Sequence, residues 1–393
     1  MPTIATKEYC TGCTACASVC PAKCISMEAD ENGFLHPAVE AEKCVSCGLC
    51  EKTCPIITPL KVTENEPKAY AVYSKDEEIR LQSSSGGIFT ELARVVLEKG
   101  GAVFGAAYND KFEVNHICVE NEADIEKLRG AKYAQSNLCG AFAEVKSRLD
   151  RGQQVLFSGT PCQVGGLKAF LRKDYENLLA VDFVCHSVPS PMAWREYVKF
   201  RAENDNNGRL PESINLRSKT TGWSNYSYSN LFEYEQTTHS ATSGNSLYMK
   251  LFGGGYISRE ACANCAFKGY SRVSDLTIGD FWGIWDIAPE MDDNKGTSVV
   301  LVHSQIGVKI LSQISHKLVL REVTLEETSL QNQAILKTAT LNERRDEAFG
   351  LIRDGKIGEC INFIPVPRPE KLSFYRRLRR LGGRLLRKMK AYQ

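Results

Sequence analysis

The stretch VLFSGTPCQVGGLKAFL, residues 155–171, decides the fold of the central part of this 393-residue chain. An apolar run typical of a strand leads into the turn Gly-Thr-Pro-Cys, and a segment with helical character follows. Three roles are open to Cys162 in this turn: a catalytic thiol, part of a phosphate-binding turn, or a metal ligand. The residues that neighbouring segments bring close to Cys162 distinguish between these roles.

The same strand–turn–helix pattern recurs on both sides of this stretch. Upstream, the strand AYAVYSK (69–75) precedes a Ser-Ser-Ser-Gly-Gly turn at 83–87 that opens a helix. Downstream, the segment NLLAVDFVCHSVPS (177–190) is a strand that ends near Cys185, and a further helix follows. Strands that alternate with helices predict an α/β domain with ligands at the carboxyl ends of the strands. We therefore expect Cys162 and Cys185 to meet at one site.

The Ser/Gly turn at 83–87 is a candidate anion site. A helix amino terminus presents free N–H groups and a favourable dipole to a phosphate of a nucleotide or flavin. Such turns also act as ordinary helix caps, so the turn alone leaves both interpretations open.

A Cys-x2-Cys pair, Cys262 and Cys265, adds two thiols further along the chain. With Cys162 and Cys185 they are enough for one 4Fe–4S cluster, which needs four thiolates. A structural zinc site and unrelated buried thiols are the alternatives. The segments lie far apart in sequence, so spacing alone leaves all three open.

Two complete ferredoxin runs occupy the first sixty residues. CTGCTACASVCP (10–21) and CVSCGLCEKTCP (44–55) both follow C-x2-C-x2-C-x3-C-P, in which the fourth cysteine reaches the other cluster. The predicted ligands are Cys10, Cys13, Cys16 and Cys54 for one 4Fe–4S cluster and Cys44, Cys47, Cys50 and Cys20 for the other. Two full runs that each end in proline favour clusters over zinc. Cys24 is interpreted as a buried small hydrophobic residue.

The composition is that of a globular chain with metal clusters rather than disulfides. Sixteen cysteines in 393 residues need no disulfide explanation, because the chain is long and its start lacks the features of a signal peptide. No apolar run is long enough to span a bilayer. The chain is therefore expected to be cytoplasmic.

The net charge of +2 hides a basic carboxy-terminal tail. From Arg368 onward the chain carries many Lys and Arg and a single acid, Glu370, and its leucines fall roughly on one helical face. This pattern predicts an amphipathic helix that contacts the inner face of an anionic membrane. A solvated tail that packs locally is the alternative. No nucleic-acid partner is expected.

The chain resembles the coenzyme F420 hydrogenase/dehydrogenase beta-subunit family across nearly all of residues 1–300. The matching stretches, in the family's order and spacing, are SSSGGIFTELA, LRGAKYAQS, LFSGTPCQVGGL, FVCHSVPS and CANCAFKGYSRVSDLTIGDFWG. The resemblance implies FAD beside a 4Fe–4S cluster that is held by Cys162, Cys185, Cys262 and Cys265. It places the flavin against Ser85, Gly86, Gly87, Lys132, Tyr133, Thr160, Gln163 and Asp280.

The implied fold class is α+β/α/β, a bacterial-type ferredoxin domain with two 4Fe–4S clusters followed by an α/β domain that binds flavin and a cluster. The expected boundaries are 1–60 for the ferredoxin domain, 61–68 for a linker, 69–300 for the FAD and 4Fe–4S oxidoreductase domain, 301–365 for a C-terminal α/β extension and 366–393 for the basic amphipathic tail.

The implied function is that of an oxidoreductase which relays single electrons between ferredoxin-type clusters and FAD. A flavin exchanges either one or two electrons, so it connects clusters with hydride exchange on coenzyme F420 or another organic substrate. The implied partners are a protein electron carrier or partner redox subunit and a small-molecule hydride donor or acceptor. Bacterial relatives often accompany exopolysaccharide synthesis genes, which predicts a link with polysaccharide biosynthesis. The alternative is an adaptor subunit that feeds a separate enzyme and has no substrate of its own.

Two further residues are predicted to act in catalysis. His186, next to Cys185, is the candidate proton donor at the flavin, and Lys219, with Arg217, is a candidate for binding an anionic substrate. A neutral imidazole bonded to a backbone carbonyl is the alternative for His186. A solvated strand face is the alternative for Lys219.

Overall fold

The computed structural model describes residues 2–62, 66–138 and 140–365. The predicted basic tail, residues 366–393, and Cys139 lie outside these ranges. Among the described residues, no helix is both long and apolar enough to cross a membrane.

Strands and helices alternate through most of the described chain. The strands are β1 (Ile25–Ala29), β2 (Leu35–Val39), β3 (Lys68–Ser74), β4 (Ala102–Tyr108), β5 (Val114–Val119), β6 (Val155–Gly159), β7 (Leu178–Phe183), β8 (Ser213–Ser218), β9 (Ser229–Glu233), β10 (Thr238–Thr242), β11 (Leu276–Asp280), β12 (Ser298–Val302) and β13 (Leu318–Val323). The α-helices are α1 (Ala15–Val19), α2 (Leu49–Thr53), α3 (Glu77–Gln82), α4 (Ile88–Leu97), α5 (Ile125–Leu128), α6 (Ala141–Asp150), α7 (Pro161–Leu171), α8 (Pro191–Asn206), α9 (Leu247–Gly253), α10 (Ile284–Ile287), α11 (Gln305–Ile314), α12 (Leu325–Ser329) and α13 (Arg345–Arg353).

Eight of the strands form one mixed sheet in the order β13-β3-β12-β11-β7-β6-β4-β5. The central strands β4, β6, β7 and β11 run parallel to one another, whereas the strands at both edges pair antiparallel. Parallel neighbours need a crossover connection, and α7 supplies it between β6 and β7. The predicted α/β architecture is confirmed, with a mixed rather than a purely parallel sheet.

Strand β6 is buried on both faces, which explains its continuous apolar sequence. Leu156 packs into the core on the side of α4 and α11. Val155 and Phe157 point to the opposite face and pack with residues of α6 and α7. Successive strand side chains alternate between faces, so this short run anchors both layers of helices on the sheet.

The ferredoxin domain consists of the antiparallel hairpin β1-β2 and the short helices α1 and α2, each of which lies within a cysteine run. Helix α1 packs against α7 of the body. The predicted ferredoxin architecture is confirmed, and it lies directly on the helix that begins with the Gly-Thr-Pro-Cys turn.

The boundary predicted at residue 300 falls inside β12. Beyond it, β13 pairs with β3, and β3 lies between β12 and β13 in the same sheet. The segment predicted as an extension therefore continues the central sheet. The pairing joins strands that lie far apart along the chain, so periodicity within the segment could not reveal it.

Candidate functional site

The carboxyl ends of three parallel strands meet at one edge of the sheet. Strand β6 leads into Thr160 and Cys162, and Cys185 follows two residues after β7. Strand β11 runs parallel to β7 and ends at Asp280. Since parallel strands end at the same side, the expected meeting of these segments follows from the topology.

The Gly-Thr-Pro-Cys turn is a well-capped helix start. Thr160 is the N-cap of α7, and its side chain accepts from the backbone N–H of Gln163. Gln163 Oε1 in turn accepts from the N–H of Thr160 at 2.9 Å, which completes a capping box, and Pro161 occupies the first turn. The turn therefore holds Cys162 rigidly, with Thr160 Oγ1 3.0 Å from its Sγ.

The four thiols predicted for the third cluster surround one small cavity, the third-cluster cavity. Its lining includes Cys162, Cys185, Cys262 and Cys265. No three His, Cys, Asp or Glu side chains of the described residues stand close enough to hold a single metal ion. The thiols thus enclose a volume, as ligands at the corners of a four-iron cube do.

The electrostatics of this cavity suit a cationic core. Burial, together with repulsion from neighbouring thiolates, raises the pKa of Cys162 to about 11 and that of Cys262 to about 12. The pKa of Cys185 is raised in the same way. Buried thiolates repel one another, so these thiols are deprotonated together only when a bound metal centre stabilises the thiolate form.

Backbone and lysine contacts hold two of these thiols in place. The N–H of Val188 donates to Cys262 Sγ at 3.4 Å. Lys268 Nζ donates to the carbonyl of Cys185 at 2.5 Å and to that of Ala334 at 2.7 Å. The chain after β7 is therefore hydrogen-bonded to the Cys-x2-Cys segment and, through Lys268, linked to the 3-10 helix Gln333–Ile335.

Each ferredoxin set also surrounds a cavity of its own. The inner ferredoxin cavity, nearer the body, is lined by residues that include Cys10, Cys13, Cys16, Cys50 and Cys54. The outer ferredoxin cavity is lined by residues that include Cys20, Cys24, Cys44, Cys47 and Cys50. The predicted exchange of the fourth cysteine between runs agrees with this placement, because Cys54 lies with the first run and Cys20 with the second. Cys24 is buried as expected, but its Sγ also lies 3.4 Å from Cys20 Sγ, a contact that the sequence did not indicate.

A large cavity of about 700 Å³ adjoins the third-cluster cavity. Of the residues predicted to bind the flavin or act beside it, those in its lining are Ser85, Gly87, Lys132, Tyr133, Thr160, Gln163, Asp280 and His186. Cys162, Cys185, His186 and Ser187 line both cavities, so these residues form the wall between them. Cavities of this volume are typical of cofactor sites.

Gly86 does not belong to this lining. Its N–H donates to Ser298 Oγ at 2.9 Å, and a Cβ at this position would lie 2.3 Å from the carbonyl of Val72. Gly86 therefore lets the turn pack against β3 and β12, whereas Gly87, with φ of +89°, is the N-cap of α4 and faces the cavity. Gly86 therefore positions the start of α4, and Gly87 contributes to the lining of the cavity.

Lys219 also lies outside the lining. Its Nζ donates to the carbonyls of Arg80 and Ser85 at 2.5 Å each, and burial lowers its pKa to about 7. Lys219 thus stabilises the serine turn through hydrogen bonds made outside the cavity lining. This position supports a structural role rather than direct contact with a substrate.

Lys132 lines the cavity but turns its ammonium away to backbone carbonyls. Its Nζ donates to the carbonyls of Lys127 at 2.9 Å and Arg129 at 2.6 Å. Burial lowers the pKa of Lys132 to about 7. The side chain therefore closes the turn after α5 through its Nζ.

The sequence did not indicate that Arg217 and Asp280 form a buried ion pair in the cavity wall. Two guanidinium nitrogens of Arg217 donate to the two carboxylate oxygens of Asp280 at 2.7 Å each. Arg217 also donates to Tyr133 Oη at 3.1 Å and to the carbonyl of Ser84 at 3.2 Å. Nη1 and Nη2 of the guanidinium, which was predicted as an anion site, are committed to these acceptors and fix three segments of the cavity, whereas its buried Nε has no hydrogen-bond partner among the described residues.

His186 lies in the wall between the two cavities. Its pKa is lowered, first by burial and then by the nearby cation of Lys268. The lowered pKa favours the neutral imidazole at pH 7. A neutral ring still accepts a proton, so this position remains compatible with a role beside a cofactor.

Gly166 in α7 allows the ferredoxin domain to approach the body closely. A Cβ there would lie 2.8 Å from Cys13 Cβ and 2.9 Å from Cys13 Sγ. Gly166→Ala should therefore destabilise the fold by about 1–3 kcal/mol through overpacking, as measured by urea unfolding. Gly350→Ala is the control, because Gly350 is a helical glycine with open space around it, and alanine there should stabilise α13. Equal effects of the two changes would contradict the close packing.

Comparison with known proteins identifies the family. The family model that describes the C terminus of the coenzyme F420 hydrogenase/dehydrogenase beta subunit matches residues 152–328. The model for the amino-terminal part of the same beta subunit matches residues 69–142. Together they cover more than half of the chain. A 4Fe–4S dicluster domain matches residues 9–56.

Individual relatives carry related names. One of the F(420)H(2) dehydrogenase subunits of Methanosarcina mazei is 22% identical over 185 residues, which are 44% of this chain and 52% of that protein. The coenzyme F420-dependent sulfite reductase of Methanocaldococcus jannaschii is 24% identical over 212 residues, which are 50% of this chain and 32% of that protein. The chain spans about half the length, or less, of these curated relatives.

Among solved structures, a chain of the F420-reducing NiFe hydrogenase complex from Methanosarcina barkeri aligns with 77% of this chain and 94% of its own length, at a TM-score of 0.45 and 16% identity. The family assignment rests on the sequence matches, in which the two parts of one beta subunit occur in order. The chain belongs to the coenzyme F420 hydrogenase/dehydrogenase beta-subunit family.

Proposed function

We propose that the chain is an iron–sulfur flavoprotein oxidoreductase subunit that relays single electrons between ferredoxin-type clusters and FAD, for hydride exchange with coenzyme F420 or another organic compound. One observation carries this proposal. Thr11, between Cys10 and Gly12, lines the inner ferredoxin cavity, the third-cluster cavity and the large cavity. The three spaces therefore meet at a single residue.

The residues around the large cavity fit a flavin. The serine turn precedes α4, a helix of ten residues whose first amides have no partner within the helix. Such a terminus suits a diphosphate group. Thr11 Oγ1 is buried where all three cavities meet and has no hydrogen-bond partner among the described residues, so a polar ligand group there would satisfy it. When bound, FAD supplies the change between two-electron exchange with organic compounds and one-electron exchange with clusters.

Side chains of this chain fix the geometry of the wall between the large cavity and the third-cluster cavity. Thr160 and Gln163 fix the start of α7 and with it Cys162. The Arg217–Asp280 pair holds the opposite segment, and His186 offers a neutral imidazole at the wall between the cavities. Buried side chains locked in this way keep reacting groups within a fixed distance and exclude water.

The outer ferredoxin cluster is the proposed contact with a protein electron carrier or a partner redox subunit. Cys47 is exposed, and Val45 beside it is 68% exposed. Cys10 and Cys13 of the inner set are buried against the body. Electrons would therefore exchange with an external protein at the outer cluster and continue inward. Contact of residues 366–393 with a membrane surface, and a link with polysaccharide synthesis, stay predictions.

An adaptor subunit without a substrate of its own is the second candidate. It is supported by the similarity of part of this chain to one of the NADH-quinone oxidoreductase subunits of Pelobacter propionicus, because that name describes one subunit of a larger enzyme; the match is 38% identical over 71 residues, which are 16% of this chain and 38% of that protein. An adaptor has no need for a large ligand cavity lined by both Cys162 and an aromatic wall of Tyr226, Tyr228 and Trp282. The cavity therefore favours the oxidoreductase.

Anaerobic purification of the full chain tests the proposal. We expect about twelve irons and one FAD per chain, since each of three clusters holds four irons. The bound flavin should then be reduced by F420H2 or NADH, and the clusters by reduced ferredoxin. Eight irons would remove the third cluster from the proposal. Twelve irons with bound flavin but no reduction by any organic donor would instead support the adaptor.

A further inference from the structure

Arg259 is a buried cation at the junction between the ferredoxin domain and the body, with only 2% of the residue exposed. Its Nε donates to the carbonyl of Cys10 at 2.7 Å, and its Nη2 donates to the carbonyl of Leu35 at 3.0 Å. Its Nη1 donates to Gln135 Oε1 at 3.2 Å. Gln135 Oε1 also accepts from the N–H of Leu35 at 3.1 Å. These bonds fix the guanidinium and join the two domains through it.

None of these acceptors carries a negative charge. Within the described ranges, no carboxylate forms an ion pair with Arg259. Asp30 Oδ2 lies instead 3.3 Å from His36 Nε2, and the His36 ring lies 3.2 Å from Arg259 Nη2. Burial first, and then Arg259 itself, lower the pKa of His36 to about 4, so the ring is neutral at pH 7. A buried charge without a counter-charge is costly, which points to an anion that the protein alone does not supply.

Thiol sets lie on two sides of the guanidinium. Arg259 lines the third-cluster cavity together with Cys162 and Cys262. On its other side it is bonded to the carbonyl of Cys10, which belongs to the inner ferredoxin set. A four-iron core held by four thiolates is an anion, and its surrounding charge and hydrogen bonds set its reduction potential. Taken over the described residues, neither ferredoxin cavity has an Arg, Lys, Asp or Glu side chain in its lining, so the difference between the two sets is the hydrogen bond from Arg259 to Cys10 of the inner set.

We propose that Arg259 is the shared counter-charge of the third cluster and the inner ferredoxin cluster, and that it raises their reduction potentials above that of the outer cluster. The inference rests on the proposed function, because it needs both clusters in place. Each reduction adds one electron to a cluster, and the fixed cation stabilises the added negative charge without exchanging a proton or an electron. Arg259 is therefore a positioning and tuning residue, and it favours electron flow from the outer cluster inward.

Midpoint potentials of the clusters, measured by redox titration with electron paramagnetic resonance on the anaerobically purified full chain, test this role. Arg259→Gln removes the charge, Arg259→Lys keeps it, and Gln135→Glu places a carboxylate against the guanidinium in nearly the same volume. Arg345→Gln is the matched control, because Arg345 is buried and donates to the carbonyl of the neighbouring Ser258 but lines none of the cluster cavities.

We expect Arg259→Gln and Gln135→Glu to lower the potentials of the third and inner clusters by about 59 mV or more, a tenfold change in a one-electron equilibrium constant, and to leave the outer cluster unchanged. Arg259→Lys and Arg345→Gln should stay near the parent values. Unchanged potentials in both charge-altering variants, or an equal shift of all three clusters, would overturn the inference even in a chain with its full iron and flavin content. Absence of the third cluster from the parent chain would instead count against the proposed function, and the inner ferredoxin cluster alone would still decide the role of Arg259.

Discussion

Replacing Cys162 with alanine should remove one four-iron cluster per chain and leave the two ferredoxin clusters in place. Cys162 is fixed by the capping box at the start of α7 and lines the third-cluster cavity, but neither ferredoxin cavity. A cluster held by three remaining thiolates loses one of its four protein ligands. We therefore expect the iron content to fall from about twelve to about eight per chain, with loss of one electron paramagnetic resonance signal.

The control for this change is Cys118→Ala. Cys118 is half-buried, packs beside the core near α6 and lines none of the thiol cavities. The Cys118→Ala chain should keep all of its iron. A Cys162→Ala chain that also keeps its full iron content would show that this thiol is not a ligand, whereas loss of every cluster would show that α7 supports the ferredoxin domain as a whole.

The placement of the ferredoxin cysteines, and that of Cys162 and Cys185, was predictable because two local patterns determine it. The ferredoxin runs fix three thiols of each cluster within a few residues, and the strand–turn–helix pattern places Cys162 and Cys185 at neighbouring carboxyl strand ends. Both patterns depend on short-range geometry, which periodicity and spacing describe well.

The groups that join distant segments were not predictable in the same way. Arg217 meets Asp280 across 63 positions, and Arg259 meets Cys10 across 249. Neither contact has a local spacing rule, because each depends on how the small sheet of β8, β9 and β10 and the ferredoxin domain pack on the body. The same limit explains why Gly86 and Lys219 were predicted at the site although they lie outside the cavity lining. A turn sequence does not show which of its residues face a cavity and which pack against the rest of the fold.

Asp280→Asn should cause a large loss of stability together with loss of the proposed flavin. The Asp280 and Arg217 side chains are 16% and 5% exposed, and the carboxylate also accepts from Trp223 Nε1 at 3.1 Å. Asparagine leaves the guanidinium buried without its counter-charge, and breaking a buried pair in this way costs about 3–5 kcal/mol. Tyr133 and Ser84, which Arg217 also holds, would lose their fixed positions in the cavity wall. Urea unfolding and the flavin content after gel filtration measure the two effects.

The matched control is Asp293→Asn, because Asp293 forms the same two-bond arrangement with Arg80 away from the cavity. The Arg80 side chain is about as buried as that of Arg217, at 6% exposed, but the Asp293 carboxylate is 46% exposed against 16% for Asp280. Water therefore replaces part of the lost interaction, and the cost should be smaller than for Asp280→Asn, with flavin retained. Equal destabilisation by the two changes would mean that burial of the Arg217 pair is not what makes it important. A stable Asp280→Asn chain that binds flavin normally would separate the pair from the cofactor site altogether.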